Sequence, residues 1–334
     1  MTGRLKALGA SPAVDWLLDR TVLPGFSSIG WGVRGLGSVS PDPEGRLRGS
    51  HVVVTGANSG IGEAAAETFA ELGARVHMVV RNRERGEAAL ARISEKTGSD
   101  DLHLHECDLS SLDSVRAFAA EISAELNDEA GIAALVHNAG VMTKERSTSV
   151  DGYELTLATH VLGPLLLTEL LTPLLVRAAP SKVVFVTSGG MYTEKLDVED
   201  LELESREFNG PGFYAHAKRI QVILTELLND RLEPIGITVD AMHPGWVDTP
   251  GVVDSLPRFH STLGRILRTP AEGADTIVWL AASPEAAEHG GNLWMDRRIR
   301  PAHRVPWTRE DAVDRVRLWA RVAEMAGIEP SDGM

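Results

Sequence analysis

From His51 onward the apolar positions alternate between two periods. HVVVT (His51–Thr55) is a short β-branched run that ends in a glycine turn, and Ile61 to Leu72 repeats its apolar residues at helical spacing. Arg75 to Val80 reads as a second strand. Strand-like and helix-like segments continue through Leu102–His105, Val115–Leu126, Ile132–His137, Tyr153–Val176, Val183–Thr187, Tyr214–Leu232 and Ile235–Ala241. Strands that alternate with helices predict an α/β fold, a doubly wound parallel sheet covered on both faces. The long apolar run Val161–Val176 is broken by Gly163, Glu169 and two prolines and falls short of the roughly 18–20 residues of a span, which predicts a buried helix.

The first 49 residues follow a different pattern. Val14, Trp16, Leu17, Leu18, Val22 and Leu23 fit one short amphipathic helix, and Pro24 to Gly49 is rich in Gly, Ser and Pro, which favours turns. The expected organisation is an N-terminal extension over 1–49, one catalytic domain over 50–296 and a C-terminal extension with a helix over 297–334. The arm is expected to pack peripherally, so that removing residues 1 to about 45 leaves a folded protein. Its apolar content also admits a substrate-access element or a peripheral membrane contact. The acidic stretch Glu194–Glu207 reads as a solvated loop.

Composition narrows the classes. Apolar residues make up 43% of the 334, enough to bury a large core, and the net charge of −14 opposes a phosphate backbone, so no nucleic-acid partner is expected. One cysteine, Cys107, excludes an intramolecular disulfide and fits a reducing, cytoplasmic setting. Met1 to Ala10 lacks the sustained apolar stretch of a signal peptide.

Three constellations carry chemistry. TGANSGIG (Thr55–Gly62) follows a strand and opens a helix, as a dinucleotide turn requires. Gly56 permits the tight turn, Gly60 lets the backbone approach the cofactor, and Gly62 lets the helix pack closely, with Asn58, Ser59 and Ile61 between them. The helix N-terminus then offers free N–H groups to a pyrophosphate. At the end of the second strand the chain reads VVRNRERGE. Arg81 and Asn82 stand where a carboxylate would select the ribose hydroxyl, so NADP is expected in preference to NAD. In YAHAK, Tyr214 and Lys218 are four apart and share a helix face. A neighbouring ammonium would lower a phenol pKa from about 10 and fit Tyr214 to exchange a proton with a carbonyl or alcohol oxygen. In VVFVTSGG, Ser188 follows a strand end and could donate a hydrogen bond to the substrate oxygen.

Taken together and in this order, these signals resemble the short-chain dehydrogenase/reductase family from His51 to about Asp296. The stretches TSGGM, YAHAKRIQVILTE, MHPGWVDTPGV and EGADTIVWLA further resemble its branch of dehydrogenase/reductase member twelve and bacterial relatives. The resemblance implies that Asp108, followed by Leu109, contacts the adenine. HNAG is similar to the family's NNAG strand end and places Asn138, Ala139 and Gly140 at the cofactor. HPGWVDT is similar to its PG segment, in which Pro244, Gly245, Val247 and Thr249 would hold the nicotinamide. It also implies a homodimer through the two long helices, unless the extensions cover them.

One position departs from the family pattern. His160 in THVLGPLLLT stands where the family has the Asn that completes a proton path to the Lys. A neutral imidazole could take its place and would respond to acidification near its usual pKa of about 6.5. The expected function is NADP(H)-dependent interconversion of a carbonyl and an alcohol on an apolar small molecule. The alternatives are a cofactor-binding regulatory or scaffold protein with little turnover, and a membrane-surface enzyme acting on lipids. No metal site is expected: His103 and His105 alternate on a strand without acidic or Cys partners at metal spacing and read as strand-surface residues. His216, two residues from Tyr214, points elsewhere.

Overall fold

The computed structural model describes residues 12–35, 41–42, 44–126, 130–255 and 257–329. Met1 to Ala10, read for a signal peptide, lies outside the described residues. Seven parallel strands and one antiparallel edge strand form a single sheet in the order β3-β2-β1-β4-β5-β6-β7-β8. They are β1 (His51–Thr55), β2 (Arg75–Val80), β3 (Leu102–Glu106), β4 (Ile132–His137), β5 (Ser181–Val186), β6 (Ile237–Met242), β7 (Leu293–Met295) and β8 (Arg298–Arg300). Central strands are buried end to end, as β5 is, because helices cover both faces.

The N-terminal arm contributes α1 (Pro12–Arg20), α2 (Val22–Phe26) and α3 (Ser28–Arg34). One face of the sheet then carries α4 (Gly60–Glu71), α5 (Arg83–Thr97) and, later in the chain, α9 (Pro270–Ala282). The other carries α6 (Leu112–Leu126), α7 (Gly163–Arg177) and α8 (Gly210–Leu232), with α10 (Ala312–Met325) closing the chain. The strong caps sit where the sequence supplies them. Asn82 accepts from Arg85 N at the start of α5, and Thr269 with Glu272 forms a capping box on α9. Leu155–Arg177 is apolar and long enough to cross a membrane by composition, yet it is mostly buried in the protein, as expected of a core helix.

The arm departs from expectation. Residues 14–23 form two helices instead of one, and Ser28–Arg34 is helical within the stretch assigned to turns. Nor is the arm peripheral. Arg34 is buried and donates to Asp15 at 2.8 Å and to Asp296. Arg268 donates to Asp296 at 2.6 and 2.9 Å and to the Gly25 carbonyl, while Arg300 grips Asp15 at 2.8 and 2.9 Å. These partners burden Asp15 with positive charge and hold its carboxyl far below the usual range, against the opposing effect of its burial. The Phe26 ring lies edge-on to His243 and Trp246. The boundary expected at 296–297 falls in the turn of the β7–β8 hairpin, where Asp296 and Arg297 both adopt positive φ.

The acidic stretch is a docked loop. Leu196, Val198, Leu201 and Leu203 are buried beneath it, and Arg206 bridges Glu194 and Asp197. The α10 helix lies across α8, where Arg315 pairs with Glu226 at 2.7 Å and Arg231 covers the Trp319 ring.

Candidate active site

The C-terminal ends of β1, β2, β4 and β5 open into a cleft of about 380 Å³, at the place where a parallel sheet presents ligands. Its floor is the turn between β1 and α4. Gly56 takes φ +67, which admits the tight turn, and a side chain there would collide with Ala139 Cα at 2.8 Å. Gly62 sits 2.3 Å, measured to an added Cβ, from both the Asn138 amide and the Gly56 carbonyl. That contact is what lets α4 press onto the strand end. Thr55 and Asn138 lock the turn together: Asn138 N and Ala139 N donate to Thr55 Oγ1, and the Asn138 amide donates to the Thr55 and Gly56 carbonyls.

Asn58, Ser59, Gly60, Ile61, Asp108, Leu109, Asn138, Ala139, Gly140, Pro244 and Thr249 all line this cleft, as do His160, Tyr214 and Lys218. Ser110 N and Oγ donate to the Asp108 carboxylate and fix its direction. Arg81, Asn82 and Arg85 form an exposed rim, whereas Arg83 turns away to Glu87 at 3.1 Å. Arg85 was not anticipated from the sequence. Its placement follows from α5, which starts at Arg83 and brings the second residue after it back over the cleft.

Gly245 and Val247 do not reach the cleft. Gly245 is packed against Arg268 and Phe26, and Val247 is buried against Gly273 and Ile61. They support its wall from behind.

The Ser188, Tyr214 and Lys218 side chains are brought together by the end of β5 and by α8. Tyr214 lies beside Ser188, whose Oγ accepts from Gly190 N. Lys218 is buried, with its ammonium 2.7 Å from the Val186 carbonyl and 5.5 Å from the centre of the Tyr214 ring. Burial brings the Lys218 pKa down to about 7. Burial also raises the Tyr214 phenol, with the Ser188 hydrogen bond pulling the other way. This reverses the expectation that Lys218 lowers it. The ammonium points at a main-chain carbonyl instead of at the phenol oxygen.

His160 occupies a π-helical turn, Ala158–Leu162, just ahead of α7. Such bulges are frequent at functional sites. Its Nε2 lies 3.0 Å from Val141 N and 2.9 Å from Val141 O, and its ring stands edge-on to Tyr214. A side chain at Gly140 would meet the imidazole at 2.7 Å, so the two positions fit only as a pair. The His160 carbonyl accepts from Gln221 on α8. Burial and the nearby Lys218 charge push the imidazole well below its usual pKa, which overturns the expectation of titration near 6.5.

Of the other histidines, only His105 departs from its surface reading, and His216 points away from Tyr214 as expected. His105 is buried rather than on the strand surface, and His216 accepts from Asp197 N inside the core. His243 Nδ1 accepts from Gly189 N.

The glycine cradle, the free N-terminus of α4 and the rim arginines fit a dinucleotide with its pyrophosphate at the turn. Comparison with known proteins agrees. The short chain dehydrogenase family profile matches residues 50–198. The chain is 42% identical over 266 residues to dehydrogenase/reductase SDR family member 12 of Bos taurus, covering 79% of this chain and 82% of that one. It is 35% identical over 305 residues to retinol dehydrogenase 14 of Mus musculus, covering 86% and 88%. A short chain dehydrogenase from Escherichia coli CFT073, solved complexed with NADPH, superposes with a TM-score of 0.62 at 22% identity, covering 77% and 100%. Other neighbours of this fold were solved with NADP or with NADH.

Proposed function

The chain belongs to the short-chain dehydrogenase/reductase family, and from that premise we propose that it reduces or forms a carbonyl on an apolar small molecule with NADP(H) as the preferred cofactor. It is an oxidoreductase of CH–OH and C=O groups that depends on a nicotinamide cofactor. The observation that carries the finer reading is that Tyr214 and buried Lys218 line the same cleft as the glycine turn.

The nicotinamide, when bound, supplies or accepts the hydride. Tyr214 gives a proton to the substrate oxygen during reduction and takes it back during oxidation. Ser188 donates to the same oxygen as charge develops on it. Lys218, half-protonated near pH 7 in the free protein, is poised to gain or pass a proton. Val141, Met142, Val252 and Pro250 make the adjoining wall apolar, and the likeness to a retinol dehydrogenase supports a substrate of that character. Arg81 and Arg85 at the rim support the phosphorylated cofactor. A second reading, a cofactor-binding protein with little turnover, draws on His160, whose side chain is committed to Val141 and whose carbonyl is committed to Gln221.

The Tyr214→Phe variant separates the two. With apolar aldehydes, ketones and retinoids as substrates and NADPH absorbance as readout, its kcat falls by about 10²–10⁴ while cofactor affinity holds. Unchanged turnover in the variant would remove Tyr214 from the mechanism, and no turnover in the wild type across the panel favours the second reading.

A further inference from the structure

Away from the cleft, four histidines from three adjacent strands converge on one face of the sheet under α6. His77 on β2 is the direct register partner of His103 on β3, and His105 follows two residues later on the same side. His51 opens β1. From α6, Glu121 and Glu125 reach the same place, four residues apart and therefore on one face.

Donor atoms of His77, His103 and Glu125 lie within 4.8 Å of one another. Glu125 Oε1 is 3.3 Å from His103 Nδ1 and 4.0 Å from His77 Nδ1, and Glu125 Oε2 is 3.7 Å from His105 Nε2. His77 Nδ1 and His105 Nε2 are 3.0 Å apart. An ion with metal–ligand bonds of about 2.0–2.1 Å in tetrahedral array holds its ligand atoms about 3.3 Å from one another, so these spacings need only small adjustments. The outer nitrogens are already oriented. His77 Nε2 meets His51 Nδ1 at 2.9 Å, the imidazole support that fixes a ligating ring, and His105 Nδ1 meets Glu121 Oε1 at 2.8 Å. His77 is fully buried, whereas His103 and Glu125 are each more than a third exposed, which leaves a path for an ion from solvent.

We propose that His77, His103 and Glu125 bind one divalent transition-metal ion, zinc by ligand type and spacing, with the fourth corner open to solvent. Imidazole and carboxylate suit zinc, and no thiol or all-oxygen set points to another class. The residues lie outside the cofactor cleft, so the ion would clamp the β3 edge to α6 and stabilise the fold without entering the chemistry. From the sequence His103 showed no acidic partner, because Glu125 approaches from a helix that begins only after the next loop. Without metal the same groups form a hydrogen-bonded ladder from His51 through His77 and His105 to Glu121. In that arrangement Glu125 and His103 have no necessary role.

The test uses tag-free full-length protein stripped with chelator and titrated with Zn²⁺ by calorimetry, then with Co²⁺ by visible absorption. Binding saturates at one equivalent, Co²⁺ develops the intense bands of a tetrahedral site, and Zn²⁺ raises the thermal midpoint. His103→Ala and Glu125→Gln alter the exposed side of the site, and each weakens Zn²⁺ by about tenfold or more while NADPH affinity is unchanged. Should His103→Ala fail to fold, Glu125→Gln alone decides. Absence of saturable binding, or affinity unchanged in the variants, overturns the proposal in favour of the ladder.

Discussion

Acidification should unfold this protein early, and the size of the effect follows from where its histidines lie. His137, His160, His216 and His243 are all buried. Burial lowers each of them: His137 to about 3 and His160 well below normal, both also opposed by Lys218; His216 to about 4, opposed by Arg206; and His243 to about 3, opposed by Arg268. Geometry agrees for His216 and His243, each of which places a ring nitrogen against a main-chain N–H that a protonated ring could not serve, whereas His160 Nε2 meets both Val141 N and Val141 O and is lowered by burial and Lys218. In the unfolded chain the same rings take up a proton near pH 6.5. The unfolded state therefore binds more protons below that pH, and stability falls as pH drops through it. At pH 5 His137, His216 and His243 each contribute about 2 kcal/mol of loss, together about 6 kcal/mol, with His160 adding in the same direction, against a usual total of roughly 5–15 kcal/mol. Asp240 and Asp275, which burial raises, bind protons in the folded state and oppose this only as the carboxylate range is approached. Urea unfolding followed by tryptophan fluorescence at pH 8, 7, 6 and 5, with chelator present, should show the midpoint fall steeply below pH 6.5 at constant m. The His160→Asn variant should lose less. Between pH 6.5 and 8 its rate profile should have the same shape as that of the wild type, because the imidazole does not titrate there. Stability that stays within about 2 kcal/mol from pH 8 to 5 would refute the reasoning.

The remaining predictions concern the rim, the arm and assembly. Arg81→Ala, and more strongly the double variant with Arg85→Ala, should weaken NADP by about tenfold or more beyond any effect on NAD, since a charge-assisted contact is worth more than 1 kcal/mol; equal effects on both would make the rim mere surface charge. Deleting residues 1–35 strips Asp15 from buried Arg300 and should cost about 3–5 kcal/mol or cause aggregation, read by thermal unfolding, and a fully stable truncation would show the ion pairs to be dispensable. In the intact arm, Trp16, Leu17, Val22, Leu23 and Ile29 are exposed, so replacing Trp16 and Leu17 with Ser should abolish any cosedimentation with liposomes while leaving the fold unchanged. Because α10 lies across α8, light scattering should report a monomer, and a dimer that Glu226→Ala and Trp319→Ala disrupt would place the interface there after all.

What the sequence made legible is what local chemistry determines. The turn Thr55–Gly62 needs glycine for reasons internal to eight residues, and the strands around it are β-branched runs whose register follows from burial, so the cleft could be read directly. His160 was legible as a departure, but its role was not. The ring that breaks the family pattern fits because residue 140 is glycine and because the helix bulges at Ala158–Leu162, and neither condition shows in the periodicity of a continuous apolar run. The Tyr214 pKa failed for a related reason. Spacing of four places Lys218 on the right face, but the direction of its ammonium is decided by Val186 on another strand. The arm was least legible of all. Asp15 lies in a segment read as an amphipathic helix and Arg34 in a stretch read as turns, and both are buried because Arg300 and Asp296 reach them from the far end of the chain. A charge whose partner lies more than 250 residues away carries no local mark, and the same holds for His103 and Glu125 at shorter range. Turns and periodicity thus locate the chemistry in this fold, while long-range pairing of charged and imidazole groups decides what is buried and which protons can move.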